Sequence, residues 1–177
     1  MTPVLRVAIV GSASSGKTTL AARLAQHYRT VWVPEYLREF VETEARLPVS
    51  SDQIHIAGTQ VAREEAALPQ ARHFLFCDTT PLMTAVYSRH YFGGIDAELA
   101  ALAASHRYDV TLLCAPDLPW VPDGLMREPE DASGPVSALL LEELAARGIA
   151  YTLVSGAPEQ RLMKVEQVLG RPATLAG

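Results

Sequence analysis

The ten residues GSASSGKTTL, positions 11 to 20, directly follow the apolar run VLRVAIV and carry one of the chain's two lysines. Arginine supplies the other 13 of its 15 basic residues, so the ammonium at position 17 stands out. Gly11, Gly16, Lys17 and Thr18 satisfy the spacing G-x-x-x-x-G-K-[ST], with a buried-strand pattern before it and an amphipathic helical pattern after it. That context separates the motif from a chance Gly/Ser turn. The glycines let the backbone curl so that successive N–H groups point inward, and the helix start adds positive potential, a seat for phosphate oxygens. Ser14, Ser15 and Thr19 complete the loop and its first helical turn. Lys17 reaches the outer phosphates as a compact mobile charge, which arginine's planar fork does not replace. The Thr18 hydroxyl is a ligand for Mg²⁺. This is the chemistry of a nucleoside triphosphate.

The motif leaves open what the terminal phosphate is for. GTP-binding switch proteins read guanine with an Asn-Lys-x-Asp element, and this chain contains no asparagine. Motor and AAA-type ATPases normally carry an acidic pair, usually in a larger chain, whereas HFLFCDTT ends in a single acid, Asp78. A carboxylate at that strand end faces the phosphate edge of a parallel sheet and can hold Mg²⁺ through water. Asp78 also suits an N-cap for a helix starting near Pro81. Glu35 in VWVPEYLREF ends a second strand pattern on the same edge, where it could accept the proton of an attacking hydroxyl. Its alternative is an acidic first-turn residue favourable to the helix dipole. Arg38, three residues on, shares that face and could hold the carboxylate or a transferring phosphate.

The elements that must position these groups alternate. Short β-branched runs at 4–10, 30–34, 73–77, 109–114 and 150–155 are separated by helical patterns such as KTTLAARLAQHY, DQIHIAGTQVAREEAAL and VSALLLEELAAR. This rhythm predicts an α/β fold, a parallel sheet with helices on both faces. In the first helix, Leu20, Leu24 and His27 or Tyr28 fall on one face. Residues 115–135 hold five of the 12 prolines and follow neither period, which predicts a lid or binding loop in one domain spanning 1–177. The net charge of −5, with arginines scattered, leaves no nucleic-acid footprint. The first apolar run is too short for a membrane span, so a cytoplasmic protein is expected. Cys77 and Cys114 lie in apolar runs as core residues, and the five histidines show no metal-ligand spacing.

With these residues assembled, the chain resembles the ribosylnicotinamide kinase domain of NadR-type NAD-biosynthesis proteins, a branch of the P-loop nucleoside and nucleotide kinases. The resemblance runs through GSASSGKTTLAARLA, PEYLREFVE, SDQIHIAGTQ, FCDTTPLMTAVYSRHYFG and YDVTLLCAPDLPWVPDGL. It implies a three-layer fold with a five-stranded sheet in the order 2-3-1-4-5, and phosphorylation of the 5′-hydroxyl of nicotinamide riboside by MgATP. In that order Cys77 and Cys114 stand two strand spacings apart, roughly 9–10 Å, too far for a disulfide. Gly11 through Thr19 fall on ATP and Mg²⁺, with Asp78 and Glu35 around the metal and the attacking hydroxyl. Tyr36, Arg38, Gln53, Gln60 and Tyr87 become candidate riboside contacts; Tyr87 and Tyr91, at i and i+4, equally suit a core. Trp120 would cover the cationic pyridinium or anchor the loop, and Asp123 would bind ribose hydroxyls or oppose the ring's charge. Relatives tend to have Asp-Gly-x-Arg here, whereas DGLMRE puts Met126 at that place and Arg127, a candidate lid arginine, one later. Relatives can also have an aromatic residue where this chain has Pro34. Bifunctional relatives carry an adenylyltransferase domain ahead of the kinase; this chain starts at the first kinase strand and is expected to stop at the mononucleotide. A nucleoside monophosphate kinase would instead need arginines for the acceptor phosphate, with Arg38, Arg72 and Arg89 as candidates. A regulatory module that only binds ATP is the third reading. The sequence leaves the oligomeric state open.

Overall fold

The structure is a computed structural model that describes residues 3–119 and 132–172. Its parallel strands are β1 (Leu5–Val10), β2 (Trp32–Val33), β3 (Phe74–Asp78), β4 (Val110–Cys114) and β5 (Thr152–Val154). They form one five-stranded sheet in the order β2-β3-β1-β4-β5, the P-loop kinase order that the resemblance implied. β1 lies at the centre, and its buried stretch, residues 7–10, is wholly apolar because helices cover both of its faces. On one face Val7, Ile9, Phe76 and Leu112 pack with Leu20, Leu24 and Tyr28 of and after α1 (Lys17–His27), and with Val165 of α7 (Pro158–Leu169). On the other, Val10 and Leu113 meet Met83 and Val86 of α4 (Pro81–Phe92) and Val136 and Leu140 of α6 (Ser133–Ala146). That face is continued by α3 (Gln53–Ala67) and α5 (Ala97–Ser105), which share a small core with α4. Phe40 and Val41 of α2 (Tyr36–Glu44) pack on Ile56 of α3. Among the described residues, no helix is long and apolar enough to cross a membrane.

The strand periods placed all five strands, but β2 and β5 fall well short of their runs at 30–34 and 150–155. β2 keeps only Trp32 and Val33. Thr30 uses its side chain in place of the ladder, donating to Phe74 O at 2.7 Å and accepting from Arg72 N at 2.8 Å, and Pro34 brings no N–H. α5 escaped the helical pattern because AELAALAAS is apolar around most of its circumference; its start is fixed by Asp96, whose carboxylate accepts from Leu99 N at 2.9 Å. Cys77 and Cys114 are buried and free on the two strands that flank β1. Burial raises both thiols, that of Cys114 to about 11.

At the sheet edge where β1 and β4 begin, α3 sends Glu64 into the interior without solvent exposure. Its carboxylate accepts from Tyr108 Oη at 2.6 Å and lies 2.8 Å from His106 Nε2 and 3.4 Å from Arg6 Nη1. Burial, reinforced by Glu64, holds the Tyr108 hydroxyl well above its ordinary pKa. Removing the anion takes the carboxylate from Tyr108 Oη and His106 Nε2 and leaves Arg6 with its ion pair to Glu65, so Glu64→Ala is expected to cost about 3–5 kcal/mol of stability. Urea unfolding followed by circular dichroism measures it; a loss below about 1 kcal/mol would deny the network this role.

Candidate active site

The loop between β1 and α1 is shaped by backbone that side chains would obstruct. Gly11 has φ +152°, and a Cβ there would lie 2.7 Å from Ser15 Oγ and 2.9 Å from Cys114 O. Gly16 has φ +88°, and its Cβ would lie 2.8 Å from Leu118 Cδ1. Ser14 adds a third positive φ, 61°. Gly16 heads α1 without a side-chain cap bond, and the first turn contains no acid, which leaves the opening N–H groups for an anion. Lys17 is buried, its Nζ parked on Ser12 O at 2.9 Å. Ser15 Oγ is buried with no partner among the described residues. A cradle closed to any Cβ, an acid-free helix start and an ammonium held at its rim together fit a polyphosphate.

The two carboxylates reach the same edge by different routes. Ile9 pairs with Asp78 across the sheet, which sets the last residue of β3 beside the start of the loop. Asp78 is 1% exposed, and Thr18 Oγ1 donates to its Oδ2 at 2.7 Å. Burial first and then the neighbouring Glu35 push this carboxyl up to about 6, against the opposing pull of Lys17 and two hydroxyls. Glu35 precedes α2 in the N-cap position but makes no cap bond. Its Oε2 instead accepts from Thr79 Oγ1 at 2.9 Å, and that hydroxyl lies 3.4 Å from Asp78 Oδ1. A chain of polar groups therefore runs Thr18, Asp78, Thr79, Glu35. Thr79 holds φ 72°, a conformation costly for a β-branched residue, and its N–H is tied to Ile9 O at 3.1 Å. The expectation that Asp78 caps the next helix is corrected: Thr80 is the N-cap residue of α4, and Asp78 remains in the strand. Thr18 and Asp78 bring two hard oxygen donors side by side, a pair that fits Mg²⁺, whose other ligands would come from phosphate and water. Among the described residues no group of three His, Cys, Asp or Glu offers a fuller metal cage.

The remaining candidates separate. Gln60 is 2% exposed and spent on backbone: its Oε1 accepts from Tyr36 N at 2.8 Å, and its Nε2 donates to Pro34 O at 3.1 Å and Asp78 O at 3.3 Å. It thereby fixes Glu35 against Asp78. Gln53 is likewise buried, donating to Thr84 O at 3.4 Å. Tyr36 is half-buried, with its hydroxyl 3.4 Å from His55 Nε2 and the Arg63 guanidinium over its ring. Arg38 lies exposed in the first turn of α2. Tyr87 stacks on Tyr91 and packs against the core, whereas Tyr91 is exposed. Arg89 pairs with Glu142 and Glu143, and Arg72 sits at the opposite end of β3 from Asp78. Trp120, Asp123, Met126 and Arg127 lie outside the described residues, as does most of the 115–135 loop. Thr79 and Arg161 escaped the sequence reading. The only local sign of Thr79 was a β-branched residue between a strand-ending acid and a proline-headed helix.

Residues 6–161 match the family described as AAA domain. The chain belongs to that family. It is homologous to the Trifunctional NAD biosynthesis/regulator protein NadR of Escherichia coli (strain K12), with 34% identity over 127 residues, 69% of this chain and 31% of that protein. The chain thus spans about a third of the length of the curated relatives it matches. A NadR structure in complex with NR superimposes with a TM-score of 0.81 at 23% identity, covering 94% of this chain and 52% of that one. A NadR structure with NAD and AMP-PNP gives 0.76 at 23% identity over 94% and 50%. Thymidylate kinase from Ehrlichia chaffeensis gives 0.66 at 17% over 94% and 99%. Within the AAA family the chain keeps the feature noted in its sequence: Asp78 ends β3 and is followed by Thr79 and Thr80, without a second acid.

Proposed function

We propose that the chain is an ATP-dependent nicotinamide riboside kinase, transferring the γ-phosphoryl group to the ribose 5′-hydroxyl to give nicotinamide mononucleotide. The observation that carries the reading is the convergence of Lys17, Thr18, Asp78 and Glu35 on one sheet edge, with Thr18 bonded to Asp78, the Thr79 hydroxyl between Asp78 and Glu35, and the Lys17 charge acting on Asp78. The choice of acceptor is supported by the homology to NadR and by the NadR structure with NR; ATP is supported by the phosphate cradle and by the NadR structure with AMP-PNP. The opposed reading, an acceptor that already carries phosphate, loses two of its three candidate arginines: Arg89 is held by glutamates and Arg72 is at the wrong edge.

The loop N–H groups and Lys17 bind the polyphosphate and follow its charge outward as the bond to the leaving oxygen lengthens. Thr18 and Asp78 would hold Mg²⁺, which when bound would supply further neutralisation of the phosphoryl oxygens. Glu35, steadied by Thr79, orients the 5′-hydroxyl and takes its proton as the oxygen attacks. ADP leaves and the proton passes to solvent. Gln60 keeps the carboxylate in reach by tying Pro34 and Tyr36 to the end of β3.

If Thr79 steadies the base, Thr79→Ala should lower kcat about tenfold, the worth of one hydrogen bond to a charged acceptor, while Thr79→Ser retains most of it. Equal rates in the two variants would remove the hydroxyl from the mechanism. The acceptor itself is tested by comparing kcat/KM for nicotinamide riboside, thymidine, deoxycytidine and thymidine monophosphate with MgATP. Nicotinamide riboside should lead; a lead for the monophosphate would overturn the choice of acceptor, and silence with all four despite ATP binding would favour a regulatory module.

A further inference from the structure

Arg161 belongs to α7, far from the loop in sequence, yet its guanidinium lies beneath the phosphate cradle and is 2% exposed. Among the described residues it is the only buried arginine. Nη1 donates to Ser15 O at 2.5 Å, Nε to Gly156 O at 2.9 Å, and Nη2 to Ala115 O at 3.1 Å and Asp117 Oδ1 at 2.6 Å. Asp117 in turn accepts from Gly156 N at 2.7 Å. One side chain thus ties three backbone segments together: the cradle, the exit of β4 and the turn after β5. A buried guanidinium costs several kcal/mol in desolvation unless its donors are matched this fully.

The contact at Ser15 has a directional consequence. In a planar trans peptide the carbonyl and the following N–H point in opposite directions. A guanidinium gripping Ser15 O from below therefore turns Gly16 N–H away from Arg161 and toward the side on which phosphate binds. Gly16, at φ 88°, is the residue least able to fix that peptide plane by itself, because glycine meets little steric resistance to other conformations. A Cβ on Gly16 would also lie 3.1 Å from Arg161 Nη1, so any larger residue at position 16 would crowd the guanidinium.

We propose that Arg161 is a positioning residue for the nucleotide: it sets the Ser15–Gly16 peptide plane and thereby presents the Gly16 N–H as a fixed donor to the polyphosphate. The inference rests on the reading of this loop as a triphosphate site and is independent of the acceptor. It is tested by calorimetric binding of ATP, and separately of inorganic tripolyphosphate, to wild type, Arg161→Ala and Arg161→Lys, with unfolding curves run in parallel. The Kd for both ligands should rise at least about tenfold in both variants, the worth of one well-placed charge-assisted donor. Millimolar guanidinium should recover part of the loss in Arg161→Ala, and in turnover assays KM for ATP should rise more than KM for the acceptor. Should Arg161→Ala fail to fold, Asp117→Asn carries the test. It keeps an acceptor but removes the carboxylate that steadies Nη2, and should weaken both ligands about threefold. Folded variants with wild-type Kd values would overturn the clamp alone. Wild-type protein that binds neither ligand would overturn the triphosphate reading and the clamp with it.

Discussion

Lys17→Ala is expected to reduce phosphoryl transfer by at least about 10²-fold, the scale seen when one preorganised stabilising group is removed from developing charge. The fold should survive, because Lys17 contributes one hydrogen bond, to Ser12 O, and a side chain at the rim of the cradle. The glycine conformations and the packing of α1 through Leu20 and Leu24 do not depend on it. Lys17→Arg should be nearly as inactive, since the guanidinium is broader than an ammonium and fixed in its plane. The lysine also lowers the pKa of Asp78; its removal should shift the acid limb of any residual activity to higher pH. Steady-state rates at several pH values, together with thermal melts, check both parts. A Lys17→Ala protein with near-normal turnover would end the proposed mechanism.

Asp78→Asn should separate stability from activity. In the folded protein the carboxyl is raised from its ordinary value to about 6 by burial and by Glu35. Between about pH 4 and pH 6 the native state therefore holds a proton that the unfolded chain has released, and stability falls as pH rises through that window. A shift of about two units corresponds to about 3 kcal/mol of penalty above pH 6 that is absent below pH 4. Asparagine is neutral, nearly isosteric and still accepts from Thr18, so at pH 7 the metal-free variant should gain up to about 3 kcal/mol over wild type. Its advantage over wild type should disappear below about pH 4, where the wild-type carboxyl is protonated in both the folded and the unfolded state. Activity should move the other way, falling at least about 10²-fold, because Mg²⁺ loses its carboxylate. Urea unfolding at pH 4 and pH 7 decides the first claim: Glu39, Asp52, Glu65 and Asp117, all held below the usual carboxylate range, act alike in both proteins, so a variant no more stable than wild type at pH 7 would contradict the burial argument.

The phosphate cradle was legible in the sequence because its requirement is local. Two backbone positions that exclude a Cβ and an ammonium one residue after the second glycine leave a fixed spacing in any chain that builds them. Asp78 was legible for a related reason: an acid that ends a run of apolar residues must emerge at a strand terminus. The strand order followed from the resemblance, and helices α1, α3 and α6 from their stripes. What stayed hidden depends on contacts between distant segments. Gln60 looks like a polar residue on a helix face until its amide is seen bridging Pro34 and Asp78. The hydroxyl of Thr79 gains its role only when β3 brings it to Glu35, 44 residues earlier. Arg161 reaches Ser15 across 146 residues, and nothing in PEQRLMKVEQVL distinguishes it from a surface arginine on an amphipathic helix.

The most direct measurement is the reaction itself: purified protein with MgATP, with and without nicotinamide riboside, followed for ADP and for the mass of the riboside product. The account predicts ADP release that depends on the riboside and matches nicotinamide mononucleotide one for one, with both signals lost in Lys17→Ala. ADP release unaffected by the riboside, or a riboside recovered unchanged while ATP binds normally, would contradict it.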